Sequence, residues 1–229
     1  RANDHTDLVW EAIDDPTKYV VIQTAPSPRA AICEEFGLEP GHALTWELNT
    51  ALRRCGFDRV FDTNFAADLT IIEEGTELIQ RLYGALVLGN GSRPLPQFTS
   101  CSPGWVKYIE HFYPEFLPHL STAKSPQQMF GALIKTFYAE RNELDAANMV
   151  SVAMMPCTAK KAEAGRPEQA LEERQSTDLV ITTRELAWMI KSAGIDFVNL
   201  QGEAFDKVFG LSSGAAPIFG VTGGVMEAA

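Results

Sequence analysis

FTSCSPGW, residues 98–105, is a short apolar run broken at a Cys-Ser-Pro-Gly corner. A thiol at the end of the run, a proline that sets the next backbone angle, a glycine and an aromatic plug make a site-like turn. The same residues also suit an ordinary strand-to-helix loop with one buried cysteine. A second corner of the same kind, MMPCTAKK at 154–161, carries Cys157. Two such corners point to one site.

Working outward, YVVIQT at 19–24 is rich in β-branched residues and runs into APSP, which predicts a buried strand entering a special loop. Residues 59–62, 97–101, 149–155 and 178–182 predict further strands. Helices are expected over 29–36, 42–55, 69–83, 105–113, 125–140 and 183–193, with stops at Gly37, Gly56 and Gly194 and another start at Val225. Strand and helix alternate, so the class is α/β. Pro26, Cys101 and Cys157 each fall just beyond the carboxyl end of an expected strand, the edge where ligands bind in parallel sheets. The groups collected there are expected to be Ser27, Ser102, Gln127 and Lys160, with Met155 and Phe219 as an apolar lining. Such a pocket suits a small ligand or an inorganic cofactor.

Composition sets the bounds. With 229 residues, 45% of them hydrophobic, the chain can build one large domain or two lobes. No run of about 18 apolar residues occurs, so no membrane span is expected. A net charge of −11 argues against nucleic acid as a partner. The four cysteines include no CxxC pair, so any metal site must be assembled from distant segments. Cys33 and Cys55 lie in helical patterns and read as core residues. Residues 1–18 read as a polar connecting helix or linker, and a start at Arg1 suggests a processed or trimmed piece.

FTSCSPGW, STAKSPQQ (121–128), MMPCTAKKAE (154–163), ITTREL (181–186) and IFGVTGGVMEAA (218–229) together resemble the catalytic domain of iron-only (FeFe) hydrogenases. The resemblance runs from Tyr19 onward, residues 19–229, and implies a two-lobed α/β domain whose small sheets are flanked by helices. The lobes are expected at 19–148 and 149–229. It implies a cofactor in which a four-iron four-sulfur cubane joins a di-iron subsite carrying carbon monoxide, cyanide and a bridging dithiolate. It also implies hydrogen and protons as substrates, and a ferredoxin-like or other electron-transfer protein or subunit as partner, in the cytoplasm or periplasm of an anaerobe. By the same resemblance Cys157 and Ser102 stand at cubane-ligand positions. Lys160 holds one cyanide, the backbone at Pro26 with the Ser27 hydroxyl and Gln127 polarise other ligands, and Met155 and Phe219 wall the pocket. Read without the resemblance, Lys160 is a surface lysine.

Protons must reach a buried metal through groups a hydrogen bond apart. The resemblance assigns this relay to Cys101, Glu77, Ser121, Glu74 and Arg81. On spacing alone, Glu74, Glu77 and Arg81 are a solvated acidic face with an i to i+4 salt bridge. The sequence departs from the family pattern in two places. Where most members have adjacent cysteines, this chain has Cys101-Ser102, and a serine hydroxyl is the harder, less acidic donor. The family's C-terminal segment with two more cysteines is absent from these residues. Three readings follow: a hydrogenase catalytic subunit, of which this is a part that is inactive alone; a hydrogenase-like protein that binds an iron-sulfur cluster or senses hydrogen or redox state; and a cluster-free inactive homologue.

Overall fold

The computed structural model describes residues 3–91, 93–172, 174–207 and 212–229. In chain order its regular elements are α1 (Thr6–Asp14), β1 (Tyr19–Thr24), α2 (Pro26–Ala31), α3 (Thr45–Cys55), β2 (Arg59–Asp62), α4 (Asn64–Leu86), α5 (Pro103–Phe112), α6 (Pro126–Leu133), α7 (Ala139–Arg141), β3 (Met149–Met155), α8 (Ala159–Ala164), β4 (Leu179–Thr182), α9 (Thr183–Ser192) and α10 (Gly224–Ala228). A π-turn over Ile134–Tyr138 divides the helix expected at 125–140. The chain forms two compact units, Arg1–Thr63 with Phe130–Leu211 and Asn64–Met129 with Ser212–Ala229. Each is therefore discontinuous in sequence, whereas the expected lobes were sequential stretches meeting at 148 and 149.

The first unit holds a four-stranded, all-parallel sheet in the order β2-β1-β3-β4. Val20, Val21 and Ile22 of β1 and Val152, Ala153 and Met154 of β3 are buried, as central strands covered on both faces must be. Thr24 lies opposite Asp62 on one side and Met154 on the other, so the carboxyl ends of the strands are level. Chain order reverses between β1 and β3, which makes their carboxyl ends the switch point of the sheet. Leu48, Leu52, Ile181, Leu186 and Ile190 fill the core. A capping box starts α9, with Thr182 Oγ1 accepting from the Glu185 N–H and Glu185 accepting from the Thr182 N–H.

The opening segment is less detached than its polarity suggests. Its first two residues lie outside the described ones, but Val9 of α1 is fully buried in the same core. Residues 201–206 run along α3, where Asn49 Nδ2 and Thr50 Oγ1 donate to the carbonyls of Glu203 and Gln201 at 3.0 and 2.7 Å.

The second unit is built mainly of α4, α5 and α10 with short 3₁₀ turns. The strand expected at 97–101 is reduced to one parallel bridge, Phe98 to Leu120. Phe98 exchanges hydrogen bonds with the backbone of His119 and Ser121 at 2.8 and 2.7 Å, and the pairing extends no further. Among the described residues there is thus one multi-stranded sheet, and Cys101 follows none of its strands.

Candidate functional site

Two of the three expected corners meet in the first unit. Pro26 begins α2 directly after β1, and Pro156-Cys157 follows β3, so both stand at the switch point of the sheet. The Ala25 N–H donates to the Met154 carbonyl at 3.1 Å and carries the ladder one step beyond β1. Beneath the first corner Arg29 is buried, ion-paired with Asp62 and donating to the Thr24 carbonyl at 2.6 Å. This network fixes the turn that presents Pro26 and Ser27, both exposed.

Met155 is buried in a small apolar group with Ala25, Ala153, Ala164 and Val180, while Cys157 is exposed. Lys160, at the start of α8, is half-buried and its Nζ donates to Glu163 Oε2 at 2.8 Å, so it is not a free surface lysine. Its neighbour Lys161 is buried and ion-paired with Glu185 at 2.5 Å. Ser102, Gln127 and Phe219 belong to the second unit, and Pro26, Ser27, Met155, Cys157 and Lys160 to the first.

In the second unit, Glu74, Glu77 and Arg81 are 1%, 6% and 3% exposed, which overturns the reading as a solvated face. Glu77 Oε1 accepts from Arg81 Nη2 at 2.6 Å and Nε at 3.1 Å, and Oε2 accepts from Ser121 Oγ at 3.0 Å. Burial pushes the Glu77 carboxyl up, but bonds from Arg81, the Thr122 N–H and Ser121 together outweigh it and hold the group below its ordinary range. Glu74 is the opposite case. Burial raises it, and the charge of Glu77 adds to the rise. The Ser121 hydroxyl and Ser100 N–H are near enough to oppose that rise, yet neither carboxylate oxygen has a hydrogen bond of normal geometry.

From Glu74, near the Ser100 N–H, the buried polar groups continue through Ser121 Oγ, which donates to Glu77 Oε2, to Arg81. Arg81 is locked at the far end, its guanidinium donating to the carbonyls of Pro94, Pro118, His119 and Leu120 at 2.8 to 3.3 Å.

Three neighbours were not singled out from sequence. Thr122 donates its N–H and hydroxyl to Glu77 Oε2 at 2.9 and 3.1 Å, and its place beside Ser121 was the available signal. Gln97 donates to the Glu74 carbonyl at 3.2 Å, leaving its own buried Oε1 without a partner. Arg93 reaches Glu77 Oε1 at 2.9 Å from a glycine- and proline-rich loop that carried no periodic signal.

A four-iron cubane ordinarily takes four thiolates. Cys157 is exposed and available. Cys33 is buried and gives its S–H to the Ala30 carbonyl at 3.0 Å, and Cys55 sits in the apolar core, where burial pushes its thiol up to about 11. The exposed Ser102 offers a hydroxyl and opens α5, its carbonyl accepting from the Val106 N–H at 3.0 Å. No group of three or more His, Cys, Asp or Glu side chains that could hold a metal ion occurs among the described residues. The donors of this chain do not by themselves complete a four-iron site.

Residues 18–229 match the family described as iron only hydrogenase large subunit, C-terminal domain. The chain is 53% identical to the NADP-reducing hydrogenase subunit HndD of Solidesulfovibrio fructosivorans over 97% of its own length and 38% of that protein. It is 51% identical to iron hydrogenase 1 of Clostridium pasteurianum, over 98% of its length and 38% of the relative. A more distant relative, cytosolic iron-sulfur assembly component 3 of Bos taurus, is 33% identical over 94% of the chain and 46% of that protein. Among solved structures, [FeFe]-hydrogenase HydA1 from Chlamydomonas reinhardtii superposes with a TM-score of 0.86 at 44% identity, covering 98% of this chain and 56% of that one. The chain thus spans roughly two fifths to a little over half of these proteins.

Proposed function

Because this chain belongs to the iron-only hydrogenase large-subunit family, we propose that it forms part of a catalytic subunit that reversibly oxidises hydrogen to protons and electrons. The observation that carries this reading is the buried line Glu74, Ser121, Glu77, Arg81, in which Ser121 Oγ donates to Glu77 at 3.0 Å, Arg81 pairs with Glu77, and two carboxyls one helical turn apart are shifted in opposite directions. Two buried carboxyls whose surroundings push their proton affinities apart, with a hydroxyl near both, suit the passage of protons.

Cys101 is the inner proton carrier in this reading, and Glu74 receives its proton past the Ser100 backbone. The Ser121 hydroxyl donates to Glu77 and can accept from Glu74 by rotating, and Arg81 holds Glu77 in place. Cys157 would supply one thiolate to a cubane, and Ser102 stands where the resemblance expects a second ligand. By the family resemblance Pro26, Ser27, Gln127 and Lys160 would orient the ligands of the di-iron group and Met155 and Phe219 would line it. The bound cofactor would supply the hydrogen chemistry, and electrons would leave to a ferredoxin-like protein or subunit. A four-iron site would need thiolates beyond those these residues supply.

In the assembled protein, Glu74→Gln and Cys101→Ala should each lower turnover about 10²-fold or more while iron content is retained, the scale of a lost proton-transfer group. Unchanged turnover in both would refute the relay. Replacing Ser102 with Cys should strengthen cluster retention, because thiolate is the softer and more acidic donor.

One observation favours a second reading. Ser102 at a ligand position, together with the 33% identity to an iron-sulfur assembly component, suits a protein that binds an ordinary cluster or senses redox state without turnover. A cubane signal by electron paramagnetic resonance with no iron-carbonyl infrared bands would select it.

A further inference from the structure

Glu77 is a carboxylate with no acceptor position left. Its Oε1 takes two bonds from Arg81, at 2.6 and 3.1 Å, and one from Arg93 Nη1 at 2.9 Å. Its Oε2 takes bonds from Ser121 Oγ, the Thr122 N–H and Thr122 Oγ1 at 3.0, 2.9 and 3.1 Å. A carboxylate offers about four lone-pair directions. A proton can settle there only if a donor first lets go.

The donors differ in their freedom to do so. Arg81 is buried and tied to four backbone carbonyls. The Thr122 N–H is main chain, and Ser121 is buried. Arg93 is different: its side chain is 50% exposed, and besides Glu77 it makes one long contact, 3.3 Å to Thr122 Oγ1. It also lines a crevice of about 180 Å³ together with Glu77, Gln80, Arg81, Gly84 and Gly91. Water in that crevice is one step from Oε1 once the guanidinium moves aside.

We propose that Arg93 is the gate at the outer end of the relay: closed, it helps hold Glu77 ionised; swung out, it frees Oε1 to exchange a proton with crevice water. This rests on the relay reading above. The step transfers one proton between the Glu77 carboxyl and water and needs no other reactant. The charged groups facing Glu77 are Arg81 and Glu74 from α4 and Arg93 from the loop. His119 contributes only its carbonyl, to Arg81, while its ring Nδ1 lies 2.8 Å from the Pro96 carbonyl. Arg93 is thus a positioning residue that acts through Glu77.

The test is an infrared titration of this chain, following the protonated-carboxyl band that Glu77→Gln removes. In Arg93→Ala the band should appear about half a pH unit higher than in the unmodified chain, the scale of a half-exposed ion pair. Arg93→Lys should recover most of the difference. In the assembled protein, Arg93→Ala should move the pH profile of turnover in the same direction. A Glu77 titration unmoved by Arg93→Ala would overturn the proposal, as would a turnover loss as large as that of Glu77→Gln. Failure of the relay itself would show separately, in Glu74→Gln that turns over normally while the Glu77 titration still responds to Arg93.

Discussion

Glu74 and Glu77 share a helix face and differ in what surrounds them, and that difference sets their response to pH. Glu74 is raised above its ordinary value of 4.5 by burial, so its contribution to stability is fully present below 4.5 and is lost as pH rises through the higher folded value. Glu74→Gln, neutral throughout, should therefore melt above the unmodified chain at pH 7, with the gain vanishing below about pH 4.5. Glu77 has the opposite sign, since its stabilisation is present above 4.5 and is lost as pH falls through the lowered folded value. Breaking the buried pair by Arg81→Ala leaves the Glu77 charge without its main partner and should cost about 3–5 kcal/mol in urea unfolding at neutral pH. A loss below about 1 kcal/mol would place the pair at the surface, where ion pairs contribute little. The spacing of Glu74, Glu77 and Arg81 was legible in the sequence as one helix face. Their burial was not, because the segments that cover them, 93–97 and 118–122, carry no periodicity.

At the scale of elements the sequence was most informative where local chemistry is strict. The glycines expected to end helices at 37, 56 and 194 all adopt left-handed backbone, with φ of 74°, 108° and 68°. The capping box of α9 and the two-sided burial of β1 follow directly from ITTREL and YVVIQT. Less legible was the path of residues 201–206, which form no strand or helix and are held by side-chain bonds from α3 and by the pairing of Arg53 with Glu203 and Asp206 at 2.9 and 3.0 Å. Gly202 is the close point of this path, where an added Cβ would lie 2.3 Å from Trp46 Cβ and 3.1 Å from its carbonyl carbon. Gly202→Ala should destabilise the chain by about 1–3 kcal/mol in urea unfolding, the usual range for overpacking. Val9→Ala should cost about 2 kcal/mol, because α1 belongs to the core and is no free linker. A chain indifferent to Val9→Ala would restore the linker reading of residues 1–18.

At the scale of the whole molecule, α/β alternation was readable, but the discontinuity of the two units was not. Sequence order places Cys101 in the same series of strand-to-helix corners as Pro26 and Cys157. Only long-range pairing reveals that one parallel sheet carries the other two. No helix among the described residues is long and apolar enough to cross a membrane. The incomplete set of thiolates makes cofactor loading the decisive property. The most direct measurement places this chain in the Clostridium pasteurianum relative in exchange for the matching stretch. The chimera is purified anaerobically with its maturation machinery, and its iron content and infrared spectrum are recorded in the carbonyl and cyanide stretching region. Iron–carbonyl and iron–cyanide bands, strengthened by Ser102→Cys, are the expected result. Their absence in both the chimera and its Ser102→Cys variant, with the fold intact, would contradict the assignment of these residues to a hydrogen-activating site.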